Sequence, residues 1–195
     1  MCWSEEVSLG TGLTATILSG FLLFRRRGMD VGIALFALVV AFMQLGEFWM
    51  WRGLKEPAVA KRGARVGILS LLLQPLVLGG IVLASRFPTF LPLFVFVWVL
   101  LSWRSFGGLV DPAMATPGPN GHLVWNFLPG LKTEFMVLYW PILLGAWFFL
   151  STSEAWVYGI GAIISVGISK VLFPAEWGTL WCWWANLIPL IRLLS

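Results

Sequence analysis

The chemistry this chain could perform rests on a few polar side chains set inside long apolar runs. Gln44 and Glu47 stand three apart and so share one face of a helix. At 1.5 Å per residue, Gln44 lies roughly 20 Å from Val31, where its apolar run begins, well inside a hydrocarbon layer about 30 Å thick. An ionisable group in such a run turns to the bundle interior and pairs there. Glu47 is therefore a candidate to hold a cation, a proton or the polar head of a substrate. Its bland role would be a neutral or snorkelling acid that joins helices. Gln74 directly precedes Pro75, and a proline inside a helix frees the carbonyl four residues back, here that of Leu71. The Gln74 amide can satisfy exposed backbone nearby or turn into the same cavity as Gln44. Pro141 and Pro189 free Val137 and Ala185 in the same way, the latter beside Asn186. Kinks at Pro75, Pro141 and Pro189 are expected, and kinks with polar neighbours build sites in transporters and channels as well as occurring in inert bundles.

Trp177, Trp181 and Trp184 follow Glu176 at helical spacing. They form either an interfacial belt or the walls around a flat apolar or cationic ligand. The expected ligand-binding set is Gln44, Glu47, Gln74, Trp181, Trp184 and Asn186. Cys2, Glu5, His122 and Cys182 are secondary candidates. Cys182 reads first as a small buried hydrophobe. Cys2 could act as a nucleophile with an acid or base drawn from Glu47, Glu5 or His122. Pairing of Cys2 with Cys182 stays open. One histidine cannot build a three-histidine zinc site or a bis-histidine haem site, so no metal is expected, and no cofactor is indicated. No Walker or dinucleotide fingerprint is present. The last apolar segment lacks the lysine that a retinal Schiff base requires.

These side chains need helices in lipid to position them. The chain is 59% hydrophobic and 11% charged, with a mean hydropathy of +0.88. Water-soluble domains carry about 25% charged residues. So few charges could not cover a soluble surface without large apolar patches. Basic residues flank the apolar runs, which points to lipid headgroups rather than nucleic acid. The runs predict an all-α, polytopic transmembrane bundle of seven spans in one domain over 1–195. The spans are Val7–Phe24, Val31–Trp51, Val66–Ala84, Pro88–Trp103, Thr133–Leu150, Ala155–Phe173 and Trp177–Leu194. Arg25–Arg27 lie behind the first run rather than before it, so that run is expected to remain as a helix rather than to be cleaved.

Within the first span, Ser8, Gly12, Thr16 and Gly20 form a small face suited to close packing. Arg52–Arg65 reads as a surface loop. Residues 104–132 form a long Pro/Gly-rich loop, with an apolar stretch at Leu123–Leu128 suited to the membrane interface. Arg52, Lys55, Lys61, Arg62, Arg65, Arg104, Lys132 and Lys170 share the N-terminal side, against Arg25, Arg26, Arg27, Arg86 and Arg192 opposite. The larger basic set favours a cytoplasmic N-terminus.

The opening Met1-Cys2-Trp3-Ser4, the Gln44-x-x-Glu47 pair and Trp181-Cys182-Trp183-Trp184-Ala185-Asn186 resemble a family of small, uncharacterised seven-span membrane proteins. That resemblance implies the span count and supplies no substrate. The first functional reading is binding or transport of a small molecule, ion or lipid through a polar intramembrane site. A membrane enzyme acting on a lipid or apolar cofactor, and a structural or assembly protein, are the alternatives. The expected partners are membrane lipids and a small apolar or cationic ligand.

Overall fold

A computed structural model describes residues 4–106, 115–126, 133–150 and 153–195. The fold is an all-α bundle. Five helices are long and apolar enough to cross a membrane: Glu5–Arg25 (α1), Asp30–Arg52 (α2), Pro57–Arg86 (α3), Pro88–Ser105 with its leading 3-10 turn (α4, Leu91–Phe106), and Ala155–Leu172 within α6 (Ser153–Leu172). Predicted span five is the shorter α5 (Thr133–Gly145) followed by a 3-10 turn, Ala146–Phe149. Predicted span seven is two helices, α7 (Trp177–Ala185) and α8 (Ile188–Leu194). Pro189 therefore does not kink one helix. It stands in the first turn of α8, where a missing N–H costs nothing, and the chain breaks at Asn186–Leu187. Pro75 and Pro141 do lie inside helices.

Apolar side chains point outward and polar ones inward. Phe24 is 89% exposed and Val171 80%, while Gln44, Glu47 and Gln74 are fully buried. Water would not tolerate that distribution over so many helices, and lipid favours it.

Helices α1, α2 and α3 form the tightly packed part. Ser4 caps α1 by accepting the Val7 N–H at 3.3 Å, and Glu5 and Glu6 complement the helix N-terminus. The buried stripe of α1 is Ser8, Gly12, Ala15, Ser19 and Leu22. The expected continuation through Thr16 and Gly20 is not buried: Thr16 is half-covered and Gly20 exposed. A strict four-residue repeat drifts around a helix of 3.6 residues per turn, so the contact line steps back to the neighbouring stripe.

Helix α3 starts at Pro57, so most of the expected Arg52–Arg65 loop is helical. The reason is a small-residue stripe: Ala60, Gly63, Ala64 and Gly67 are all buried against α2. A Cβ on Gly63 would sit 2.6 Å from the Gly46 carbonyl oxygen and 2.7 Å from the Met50 nitrogen. The two backbones thus touch, as small residues permit in membranes. The Ser70 hydroxyl donates across the same interface to the Val39 carbonyl. Lys61, Arg62 and Arg65 extend from this helix without breaking it.

The described part of the long loop is ordered. Thr116–Pro117 and Leu123–Val124 pair as an antiparallel ribbon. Leu123 and Trp125 are buried in the core. The ribbon thus closes over one end of the bundle, and burial of these two side chains provides the driving force.

Candidate functional site

The predicted polar residues do not meet in one cavity. They divide among three places joined by α7. The first is a buried polar cluster between α2, α3, α5 and α7. Tyr139 on α5 donates its hydroxyl to Gln74 Oε1 at 2.8 Å. Cys182 on α7 lines the same small space as Tyr139 and, like Glu47 on α2, is fully buried. All four side chains are 3% exposed or less. Of the two roles open to Gln74, the structure shows the amide binding a side chain of the core. Gln44 is fully buried as well, and its Cβ lies beside Gly12 of α1. Beside this cluster is a space of about 20 Å³, lined by Tyr139, Trp140, Trp181 and Cys182 among others. That is room for roughly one water molecule.

The second place is an aromatic groove of about 210 Å³ between α2, α5, α6, α7 and α8. Phe36, Trp147, Tyr158, Trp181 and Trp184 converge on it, with Gly161 and Ile188 among the other lining residues. Trp181 is 4% exposed and lines both this groove and the small void, so it separates the groove from the polar cluster. Trp184 is 44% exposed at the rim. A Cβ placed on Gly161 would meet nothing within 4 Å, so the groove is open at that wall.

The third place is a groove of about 360 Å³ between α1 and α7–α8, lined by Thr11, Thr14, Leu18, Trp183, Asn186 and Leu190 among others. Asn186 Nδ2 donates back along its own helix to the Cys182 carbonyl at 2.8 Å. Its Oδ1 is buried and accepts no hydrogen bond. Asn186 thus belongs to this groove rather than to the cluster around Gln74.

No family model, curated protein or solved structure matches this chain. The site is therefore read from its own geometry.

The secondary candidates are scattered. Cys2 lies outside the described residues. Glu5 pairs with Arg52 at 3.7 Å on the surface, where both side chains are substantially exposed. His122 is buried under the ribbon, edge-on to Phe173 at 5.3 Å. Burial lowers its pKa below the usual 6.5, and the negative charge of Glu176 opposes that shift less strongly. Glu176, also buried, accepts from the Asn120 backbone N–H at 2.9 Å and from Asn120 Nδ2 at 3.0 Å. A Cβ on Gly118 would run into the Glu176 carboxylate, so a side chain there would displace Glu176 from Asn120. Among the described residues no three His, Cys, Asp or Glu side chains are grouped to hold a metal ion.

Sequence reasoning missed one assembly. Asp30, fully buried at the start of α2, accepts from Arg25 Nε at 2.8 Å and from Arg192 Nε at 2.7 Å. It also accepts from the Arg27 backbone N–H at 2.9 Å. Arg25 Nη2 and Arg192 Nη2 in turn donate to the carbonyls of Arg192 and Arg27. The turn reaches this geometry through left-handed residues, Arg26 at φ 52° and Gly28 at φ 49°. Two of the arginines counted above for orientation thus bind α8 to the α1–α2 turn. The sequence signal was a lone acid three residues after a run of three arginines.

Proposed function

We propose that this protein crosses the membrane seven times and binds a small apolar molecule or a lipid chain in the aromatic groove walled by Trp147, Tyr158, Trp181 and Trp184. The observation that carries this reading is the groove itself, about 210 Å³ with five aromatic side chains in its walls and a glycine opening. Ligand sites are mostly apolar, with a few polar groups that fix orientation. Here the polar groups stand one layer back. The Glu47–Gln74–Tyr139–Cys182 cluster holds α7 and so sets the position of Trp181 next to Cys182. In this reading α5 and α7–α8 complete the set of spans as short or broken helices, which lipid accepts where they are covered by neighbours.

The geometry favours binding over catalysis. Turnover at Cys182 needs space for a substrate, and the void beside it holds about one water. The experiment is purification in mild detergent followed by mass spectrometry of co-purified small molecules, for the natural chain and for Gly161→Phe. The natural chain is expected to retain an apolar compound, and Gly161→Phe, which fills open space, to lose it while keeping its melting temperature. Equal retention by both proteins would overturn the assignment of the groove.

A further inference from the structure

The groove between α1 and α8 differs from the aromatic one in the charge at its end. Its walls include Leu18 of α1, Leu187 just before α8, and Leu190 of α8. Those two helices finish on the same side of the bundle, tied together there by the arginine cluster: Arg25 Nη2 donates to the Arg192 carbonyl at 2.8 Å, and Arg25 Nη1 to the Leu193 carbonyl at 3.4 Å. Among the described residues, the corner joins Arg25, Arg26, Arg27 and Arg192 around one acidic side chain, Asp30. Asp30 is already saturated by Arg25, Arg192 and the Arg27 N–H. Arg26 and Arg27 are exposed. A surplus of positive charge therefore stands at the end of an apolar groove. Leu18 is seven residues from Arg25, roughly 10 Å along the helix, within the reach of one acyl chain. At the far end of the groove, Asn186 Oδ1 is a buried acceptor without a donor, and Thr11 and Thr14 supply hydroxyls nearby.

We infer that this corner is a binding site for an anionic phospholipid of the bilayer, its headgroup on Arg26 and Arg27 and one acyl chain along the α1–α8 groove. Charge complementarity selects the headgroup, because a zwitterionic lipid gains little from a corner with this net charge. Basic pockets between membrane helices recognise anionic headgroups in this way. The site shares Leu187 with the aromatic groove but does not depend on that groove holding a ligand.

The test uses the full chain in neutral detergent, titrated with dioleoyl phosphatidylglycerol or dioleoyl phosphatidylcholine and read by native mass spectrometry. At about 1 kcal/mol per exposed arginine, the double variant Arg26→Gln/Arg27→Gln is expected to bind phosphatidylglycerol roughly thirtyfold more weakly, with phosphatidylcholine little changed. Both positions are exposed, so the melting temperature should hold. Thr14→Phe, which narrows the groove, is expected to weaken phosphatidylglycerol as well. Equal affinity for the two lipids in the natural chain would overturn the inference. So would undiminished phosphatidylglycerol binding in the double variant. Undiminished binding in Thr14→Phe, or competition by water-soluble glycerol 3-phosphate at similar concentration, would remove the acyl chain from the groove and overturn it too.

Discussion

Replacing Asp30 by asparagine should destabilise the protein more than any change to its surface ion pairs. The carboxylate is fully buried and accepts four hydrogen bonds: from Arg25 Nε and Nη2 at 2.8 and 3.0 Å, from Arg192 Nε at 2.7 Å, and from the Arg27 N–H at 2.9 Å. Asparagine keeps the shape, removes the charge and turns one acceptor into a donor facing guanidinium groups. Breaking a buried ion pair from one side costs about 3–5 kcal/mol, because the partner charge is left uncompensated. Arg25 is 22% exposed, so water recovers part of that cost and the lower end applies. For a chain of this length each kcal/mol moves the melting temperature by about 2–4 °C, which gives a drop of roughly 6–12 °C. The assay is thermal unfolding in one detergent, followed by tryptophan fluorescence. Arg52→Gln is the control. It breaks a 3.7 Å pair whose side chains are 64% and 39% exposed, and its shift should stay within about 2 °C. If Asp30→Asn melted no lower than Arg52→Gln, the assembly would be no lock for α8.

Three further outcomes follow from the packing. Gly63→Ala puts a methyl group 2.6 Å from the Gly46 carbonyl oxygen, and the forced separation of α2 and α3 should cost about 1–3 kcal/mol in the same melting assay. Gln74→Leu leaves the buried Tyr139 hydroxyl without its acceptor and should cost about 1–3 kcal/mol, whereas pairing it with Tyr139→Phe should restore much of the loss. For His122 the folded pKa lies below 6.5, so the neutral ring is the form the fold accommodates. Its contribution is complete above pH 6.5 and falls away as the pH drops through that value. Hydrogen exchange over residues 115–126, corrected for intrinsic rates, should therefore speed up in acid, and His122→Gln should flatten that dependence.

Much of the bundle was legible because lipid imposes one rule over long runs: helices with apolar exteriors and polar groups inside. Gln44, Glu47 and Gln74 obey it. What pattern could not give is which polar residue meets which. Gln44 packs beside Gly12 of α1, and the Gln74 amide meets the Tyr139 hydroxyl of α5, pairings set by which helices stand next to each other. The start of α3 was hidden because charge was taken to mark a loop. Ala60, Gly63, Ala64 and Gly67 carry the true signal at helical spacing, and Lys61, Arg62 and Arg65 lie between them. The division of the last span was hidden because Pro189 fits both a kink and a helix start, and only the surroundings decide. Burial of Leu123 and Trp125 depends on the side chains that other elements bring to the same core, which no local pattern encodes.

The reading that an apolar molecule sits against Trp181 in front of a packed polar cluster is tested most directly by a single-particle structure of the protein in lipid nanodiscs. Elongated density along Trp147, Trp181 and Trp184, with Gln74, Tyr139 and Cys182 in mutual contact behind it, is the expected result. A collapsed groove with Trp184 folded into it, or a polar ligand lodged among Glu47, Gln74 and Cys182, would contradict it.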